Sequence, residues 1–199
     1  MPAKVKINKS FYEKKERLKK MPTIGKNVLY GMRKKDAGEF IKIFHDGIKN
    51  RTFGLEKLKP STVKTKKKLG YQSPYTPLYG KGDQEKMKSY VNMLRIKKMK
   101  NGWKLFPSWG KHHKSSKKLR ELLDIHETGR TFMRGKTLVR IPPRPAFRIT
   151  TEKFLKKFKS EKTNKIYSKA MAEYINTGKS AFFDEMLDFY YNKYNDIIE

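Results

Sequence analysis

Three prolines within four residues constrain the fold of this chain more than any other feature. Residues 141–145 read Ile-Pro-Pro-Arg-Pro. Each proline holds φ near about −65° and lacks a backbone N–H, so this segment cannot pair as an inner strand. The sequence therefore predicts a stiff corner at this point, which sets the direction in which the following helix departs.

Apolar spacing predicts helices on both sides of this corner. Residues 24–49 show helical spacing, which is loosened near Asp36. After the corner, Thr150 or Thr151 is expected to cap a long helix that breaks around residues 160–164. A last amphipathic helix follows it.

An Asn-Gly pair between two strand-like runs predicts a β-hairpin. The two strands would cover residues 91–99 and 102–107. Shorter elements are expected as a basic helix after Pro60, a helix over 117–126 and a strand over 137–141. The expected fold class is α+β, with the small antiparallel sheet of hairpin 91–107 packed against long N- and C-terminal helices.

The charge is unevenly distributed along the chain. Residues 57–120 hold nineteen basic and two acidic side chains, whereas residues 171–199 hold two basic and six acidic ones. Three parts are expected, namely a basic N-terminal arm over 1–22, an α+β domain over 23–158 and a C-terminal helical extension over 159–199. The opposite charges favour contact between the tail of one copy and the middle of another.

Motifs of known catalytic sites are absent or incomplete in this sequence. The absence of cysteine excludes disulfides, thiol catalysis and thiolate metal sites. Residues 176–180 resemble the end of a phosphate-binding loop, but Glu173 stands where that motif has glycine. His126-Glu127 would need a second histidine at the position of Arg130 to begin a zinc-protease helix. We expect no enzymatic activity, no cofactor and no metal.

The net charge of +30 makes a polyanion the expected partner. Nucleic acid comes first and an acidic protein surface second, while the lack of a long apolar run argues against a membrane. Lysine holds phosphate without reading sequence, so the lysine clusters predict sequence-independent contact with DNA, with a solvated basic face as the alternative. The DNA-facing candidates are Lys64, Lys66, Lys67, Lys68, Lys111, Lys114, Lys117 and Lys118.

The order of four short motifs resembles a family of phage proteins. Residues 58–70 read Leu-Lys-Pro-Ser-Thr-Val-Lys-Thr-Lys-Lys-Lys-Leu-Gly, and residues 76–78 read Thr-Pro-Leu. Residues 125–129 read Ile-His-Glu-Thr-Gly, and residues 141–148 read Ile-Pro-Pro-Arg-Pro-Ala-Phe-Arg. This order is similar to that in the virion-morphogenesis and tail-completion proteins of tailed bacteriophages, the group typified by phage Mu protein G.

The resemblance implies a structural virion protein. Such a subunit assembles into a homo-oligomeric ring in the phage neck or at the head-proximal end of the tail, around a channel that carries double-stranded DNA. The implied partners are other neck and tail proteins, such as a head–tail adaptor, tail terminator or tail tube, and assembly takes place in the host cytoplasm. The corner is then an assembly element, formed by His126, Glu127, Gly129, Pro142, Pro143, Arg144, Pro145 and Phe147.

Several alternatives stay open at this point. Arg144 is expected to bind a carboxylate, with Glu127 as one candidate, or the corner is simply a well-formed turn. The aromatic side chains of the tail either pack on a neighbouring subunit or complete the subunit's own core; the interface candidates are Phe182, Phe183, Phe189 and Tyr190. The alternative function is a sequence-independent nucleic-acid-binding protein outside any virion, and a basic nuclease is a weaker third class.

Overall fold

The computed structural model describes residues 9–71, 73–78, 90–100, 102–108, 111, 118–158 and 160–192. The helices are α1 (Lys9–Lys49), α2 (Pro60–Lys68), α3 (Leu119–Thr128), α4 (Ala146–Lys157), α5 (Ser160–Thr177) and α6 (Ala181–Tyr191). The strands are β1 (Leu94–Met99), β2 (Gly102–Pro107), β3 (Arg130–Arg134) and β4 (Thr137–Ile141). Among these residues, β1 pairs with β2 and β3 with β4, each as an antiparallel hairpin. The predicted α+β class is confirmed.

Helix α1, the longest described helix, contributes to both hydrophobic cores that the described residues form. It continues through Pro22 and Asp36, so the expected boundary at residue 22 and the loosening near Asp36 are wrong. Arg17 ties the first part of α1 to the C-terminal helices, because its Nη1 donates to the carbonyls of Ile175 at 3.3 Å and Asn176 at 2.9 Å. Packing thus outweighs the missing N–H of the proline, and the described part of the expected arm belongs to the fold.

The first core lies along the C-terminal half of α1. Helical spacing places Phe40, Phe44 and Ile48 on one face, where all three are buried. The other buried members of this core are Phe53, Tyr90, Val91, Met93, Leu94, Leu119 and Ala146. The first core therefore joins α1 to β1 and to the beginnings of α3 and α4.

The second core lies along the N-terminal half of α1, where α5 and α6 pack. Val28 and Met32 of α1 cluster there with the buried side chains of α6 and with Ala170 of α5. Gly31 permits the close approach of α6, since a β-carbon at this position would collide with the main-chain carbonyl of Met186. Helices α5 and α6 therefore pack on the same helix that carries the first core. The expected boundary at residue 159 does not separate these two helices from the rest of the fold.

The aromatic side chains of the tail serve the subunit's own core more than sequence alone predicts. Phe183 and Phe189 are buried in the second core, so the prediction that these two face a neighbouring subunit is wrong. Phe182 is partly buried against the same core. The ring of Tyr190, also partly buried, lies 6.1 Å from the ring of Tyr30. The spacing of Phe183, Met186 and Phe189 gives α6 one apolar face, and α1 covers it.

The predicted hairpin is confirmed, with a shorter first strand. Leu94 pairs with Pro107 and Met99 with Gly102. The strand begins three residues later than predicted because Tyr90, Val91 and Met93 are buried in the first core ahead of the ladder. The predicted strand over 137–141 is also confirmed, as β4.

Helix α4 begins earlier than its predicted caps. The hydroxyls of Thr150 and Thr151 donate to the carbonyls of Ala146 at 2.7 Å and Phe147 at 3.0 Å, one turn back inside the helix. Neither threonine is therefore the N-cap, and that prediction is wrong. The break in the long helix lies after Lys157, ahead of the expected position, because α5 already begins at Ser160.

A lysine is buried between the cores. Lys34 of α1 has no exposed surface, and its Nζ donates to the carbonyl of Tyr190 at 3.3 Å. The same Nζ lies 5.8 Å from the centre of the Trp103 ring. Burial lowers the pKa of Lys34, and the charge of Asp188 partly opposes this shift. The fold therefore bears the cost of removing an ammonium group from water.

We expect Lys34→Met to leave the free energy of unfolding at pH 7 unchanged or to raise it by up to about 3 kcal/mol, since an apolar side chain avoids that cost. Because the folded-state pKa of Lys34 lies below its unfolded value, the wild-type protein should gain stability as the pH rises between the two values. The variant should lack this gain. Urea unfolding at pH 7 and pH 9 measures both effects, with the exposed Lys42→Met as control. A loss of more than about 1 kcal/mol at pH 7 would show that the Lys34 contacts outweigh the burial cost.

Candidate assembly site: the corner and the surfaces beside it

The corner begins where α3 ends. Gly129 has φ 77° and its N–H donates to the carbonyl of Ile125, which closes the last turn of the helix. A β-carbon on Gly129 would lie 3.0 Å from the carbonyl oxygen of Ile141 and from the nitrogen of Pro143. Glycine is therefore needed here both for its backbone angle and for the close passage of the proline segment.

Two sets of hydrogen bonds join the end of α3 to the start of α4. The N–H of Arg144 donates to the carbonyl of His126 at 2.5 Å. The Glu127 carboxylate accepts from the N–H of Phe147 at 2.7 Å through Oε1 and from the N–H of Arg148 at 3.2 Å through Oε2. Glu127 thus caps α4 from another helix, where Pro145 at the N-cap position makes no side-chain cap bond.

Arg144 has a different environment from the one predicted. Arg144 is buried, with 9% of its surface exposed, and among the described residues no ion pair joins it to Glu127. Glu127, one candidate for the carboxylate that Arg144 was expected to bind, is therefore not its partner, because the helix amides occupy that carboxylate. Burial lowers the pKa of the Arg144 guanidinium, while the charge of Glu56 acts in the opposite direction.

Aromatic contacts hold the corner on the first core. The ring of His126 meets the ring of Tyr90 edge-on at 5.0 Å, and the ring of Phe147 lies 5.2 Å from that of Phe40. Burial, and to a smaller degree the charge of Glu127, raises the pKa of the Tyr90 hydroxyl. The two predicted motifs at 125–129 and 141–148 therefore meet in one bonded unit.

The hairpin β3–β4 leaves the body of the protein at this corner. Arg130 pairs with Ile141 at its base, and Arg134 pairs with Thr137 next to a turn in which Gly135 has φ 60°. All five residues of β3 are exposed, and on β4 Val139 and Ile141 are partly covered. The strand β3 was not predicted, although Gly135 between two short runs that contain β-branched and aromatic residues is a signal that could have indicated it.

The lysines of α2 divide into two groups. Lys66 is partly buried, donates to the carbonyl of Thr76 at 2.9 Å and has its Nζ 5.4 Å from the Tyr71 ring, so it braces the following loop. Lys64 and Lys68 are exposed, as is Lys67, whose Nζ lies 4.9 Å from the centre of a tyrosine ring. Of the four predicted α2 lysines, Lys66 is thus the least suited to meet DNA.

The second predicted lysine group is described in part. Lys111 and Lys118 are exposed and face each other in an isolated antiparallel bridge. Lys114 and Lys117 lie outside the described residues. The described members of both groups other than Lys66 remain open to a partner.

An open cavity of about 890 Å³ lies between the end of α1 and α2. Its lining combines apolar side chains, among them Leu55, Leu58 and Val63, with the cations Lys64 and Lys67. None of the described residues that line it is acidic. No pattern in the sequence indicates this cavity, because the cavity depends on how the loop after α1 places α2.

Comparison of the chain with protein-family models, with curated proteins and with solved structures gives no match. Within the described ranges, no helix is both long and apolar enough to cross a membrane. In the same part of the chain, no group of three or more His, Cys, Asp or Glu side chains could hold a metal ion.

Proposed function

We propose that this protein is a structural subunit of a tailed-phage virion, forming a ring in the neck or at the head-proximal end of the tail around the channel for double-stranded DNA. The partners in this proposal are further copies of the chain, other neck and tail proteins, and DNA. The alternative is a nucleic-acid-binding protein that acts outside any virion.

The observation that carries the proposal is the bonded corner. The resemblance to tail-completion proteins rests on motifs that are separate in sequence, and two of them meet through Glu127, Gly129 and Arg144. We take the meeting of these two motifs in one hydrogen-bonded unit as support for the resemblance. The corner also holds a hairpin clear of the body, which suits a subunit that must reach its neighbours.

The distribution of charge supports a DNA channel. Exposed lysines on α2 and at Lys111 and Lys118 lie in the chain segment with a net charge of +17. Lysine binds the phosphate backbone without reading bases, as a channel that passes any sequence requires. The same feature favours the alternative function, so the two must be separated by where the protein is found.

Purified particles separate the two functions. We expect the protein in particles at a fixed copy number of the size of one ring, measured by quantitative mass spectrometry against the major capsid protein. Electron microscopy of the neck should then show added density when the chain carries a C-terminal tag. Absence from purified particles would overturn the virion proposal and leave the free nucleic-acid binder.

The contact with DNA has a separate test. We expect sequence-independent binding whose affinity falls steeply with salt, and Lys64→Gln/Lys67→Gln/Lys68→Gln should flatten the log–log salt slope by up to about 2.7, at about 0.9 for each phosphate contact. Lys66 is left in place because it braces the loop. A slope equal to that of the wild-type protein would mean that these lysines face water or a protein.

A matched control removes the same charge elsewhere. Lys156, Lys165 and Lys169 are exposed on α4 and α5, and their triple change to Gln should alter the slope less than the α2 variant does. Equal effects of the two variants would indicate a general response to net charge in place of a defined DNA surface.

A further inference from the structure

The hairpin β3–β4 lacks the packing that a two-stranded sheet needs. The directly paired Met133 and Leu138 are 60% and 66% exposed, and Phe132, opposite Val139 on the other face, is 37% exposed. An isolated hairpin is at best marginally stable in water. Apolar side chains on both faces therefore call for a surface that covers at least one of them.

The charge of the hairpin indicates which kind of partner surface would cover it. The segment 130–141 carries Arg130, Arg134, Lys136 and Arg140 and has no acidic residue. An acidic partner surface with apolar side chains would match both properties of the hairpin. DNA would satisfy the charges and leave the Met133–Leu138 pair uncovered.

Helix α6 of the same chain has the complementary character. It carries Asp184, Glu185 and Asp188 and no Lys or Arg, a composition that no other described helix or strand shares. Asp184 and Glu185 are exposed, and Glu185 Oε1 also forms a surface ion pair with Nζ of Lys35 on α1 at 2.8 Å. Asp184 is thus the acid that faces away from α1. Tyr191 is 59% exposed and adds apolar surface, while its hydroxyl accepts a hydrogen bond from Nδ2 of Asn27 at 3.3 Å.

We propose that the β3–β4 hairpin of one copy docks on the exposed face of α6 of the next copy. The inference rests on the proposed ring and names the contact between neighbouring subunits. Since the hairpin and α6 are different surfaces, the contact is head-to-tail, and contacts of this kind close into rings when the rotation between copies permits. The corner holds both ends of the hairpin and so sets the direction of the contact.

Two charge-reversed proteins test the contact. The hairpin variant is Arg134→Glu/Arg140→Glu, and the helix variant is Asp184→Lys, which leaves the Lys35–Glu185 ion pair in place. In sedimentation velocity we expect the wild-type chain to form an oligomer and each variant alone to lose it. An equimolar mixture should regain the oligomer, because a reversed hairpin meets a reversed helix at one contact and two native surfaces meet at the next.

An apolar variant and a control complete the experiment. Met133→Ser/Leu138→Ser should abolish the oligomer without lowering the thermal midpoint of the monomer, since both side chains are exposed there. Lys156→Glu/Lys165→Glu, an equal charge change on exposed residues of α4 and α5, should leave the oligomer intact.

The outcomes distinguish this inference from the proposed function. A monomeric wild-type chain, oligomers that survive both charge reversals, or a mixture that fails to reassemble would overturn the docking of hairpin on α6. If the hairpin variant loses DNA affinity while its oligomer is unchanged, the hairpin binds nucleic acid, and the docking on α6 is overturned as well. A chain that assembles as described and is absent from particles would overturn the virion role alone.

Discussion

Gly31→Val is expected to lower the free energy of unfolding by about 3 kcal/mol or more. The β-carbon of any residue at this position would collide with the main-chain carbonyl of Met186, so helix α6 must move away from α1. Moving it would open the second core, which contains Phe183 and Phe189. Guanidinium unfolding followed by circular dichroism measures the loss.

Thr23→Val is the matched control for this change. Thr23 is exposed on the same helix, and the substitution keeps a β-branched side chain there. We expect an effect within about 0.5 kcal/mol, as at other surface positions. A loss below about 1 kcal/mol for Gly31→Val would mean that α6 can shift on α1 at little cost, and that the second core is less tightly packed than described.

Glu127→Ala is expected to lower the free energy of unfolding by about 2–3 kcal/mol. The substitution removes the only side-chain acceptor that the structure gives to the N–H groups of Phe147 and Arg148, at the positive end of the α4 dipole. Both bonds are made to a charged group and are therefore stronger than neutral ones. Chemical unfolding gives the energy, and hydrogen exchange should show faster exchange of these two amides.

Glu127→Gln and Asp124→Ala separate the cap from its surroundings. The glutamine keeps one carbonyl acceptor and should recover about half of the loss. Asp124 is exposed on the same helix, and its removal should change stability by less than about 0.5 kcal/mol. Unchanged exchange at Phe147 and Arg148 in Glu127→Ala would mean that water replaces the carboxylate at no cost.

Local chemistry made part of this fold predictable. The Asn-Gly pair at 101–102 predicted the first hairpin, and the proline segment predicted the corner. Each of these signals acts over a few residues through backbone angles or missing donors. Such signals depend mainly on local backbone geometry, although packing can override one of them, as it does at Pro22.

The remaining features depend on residues that are distant in sequence. Glu127 takes the capping role expected of Thr150 or Thr151 because the corner brings it to amides about twenty positions away. Likewise, α1 continues through Pro22 because α5 and α6 pack on both sides of that point. The expectation that Phe183 faces a neighbour was wrong for the same reason, since periodicity identifies an apolar face but not what covers it.

The corner also has a mechanical consequence. The hairpin strands extend about 17 Å from their base, at about 3.3 Å for each residue. The chain is anchored at both ends of the hairpin, by Gly129 on one side and by the Arg144 amide on the other. A force on the tip of the hairpin therefore acts as a torque about the corner. The bonds from Glu127 pass that torque to the first turn of α4, and the Phe147 ring passes it on to Phe40 of α1. Displacement of the β3–β4 hairpin would therefore strain helix α1 of the same chain first.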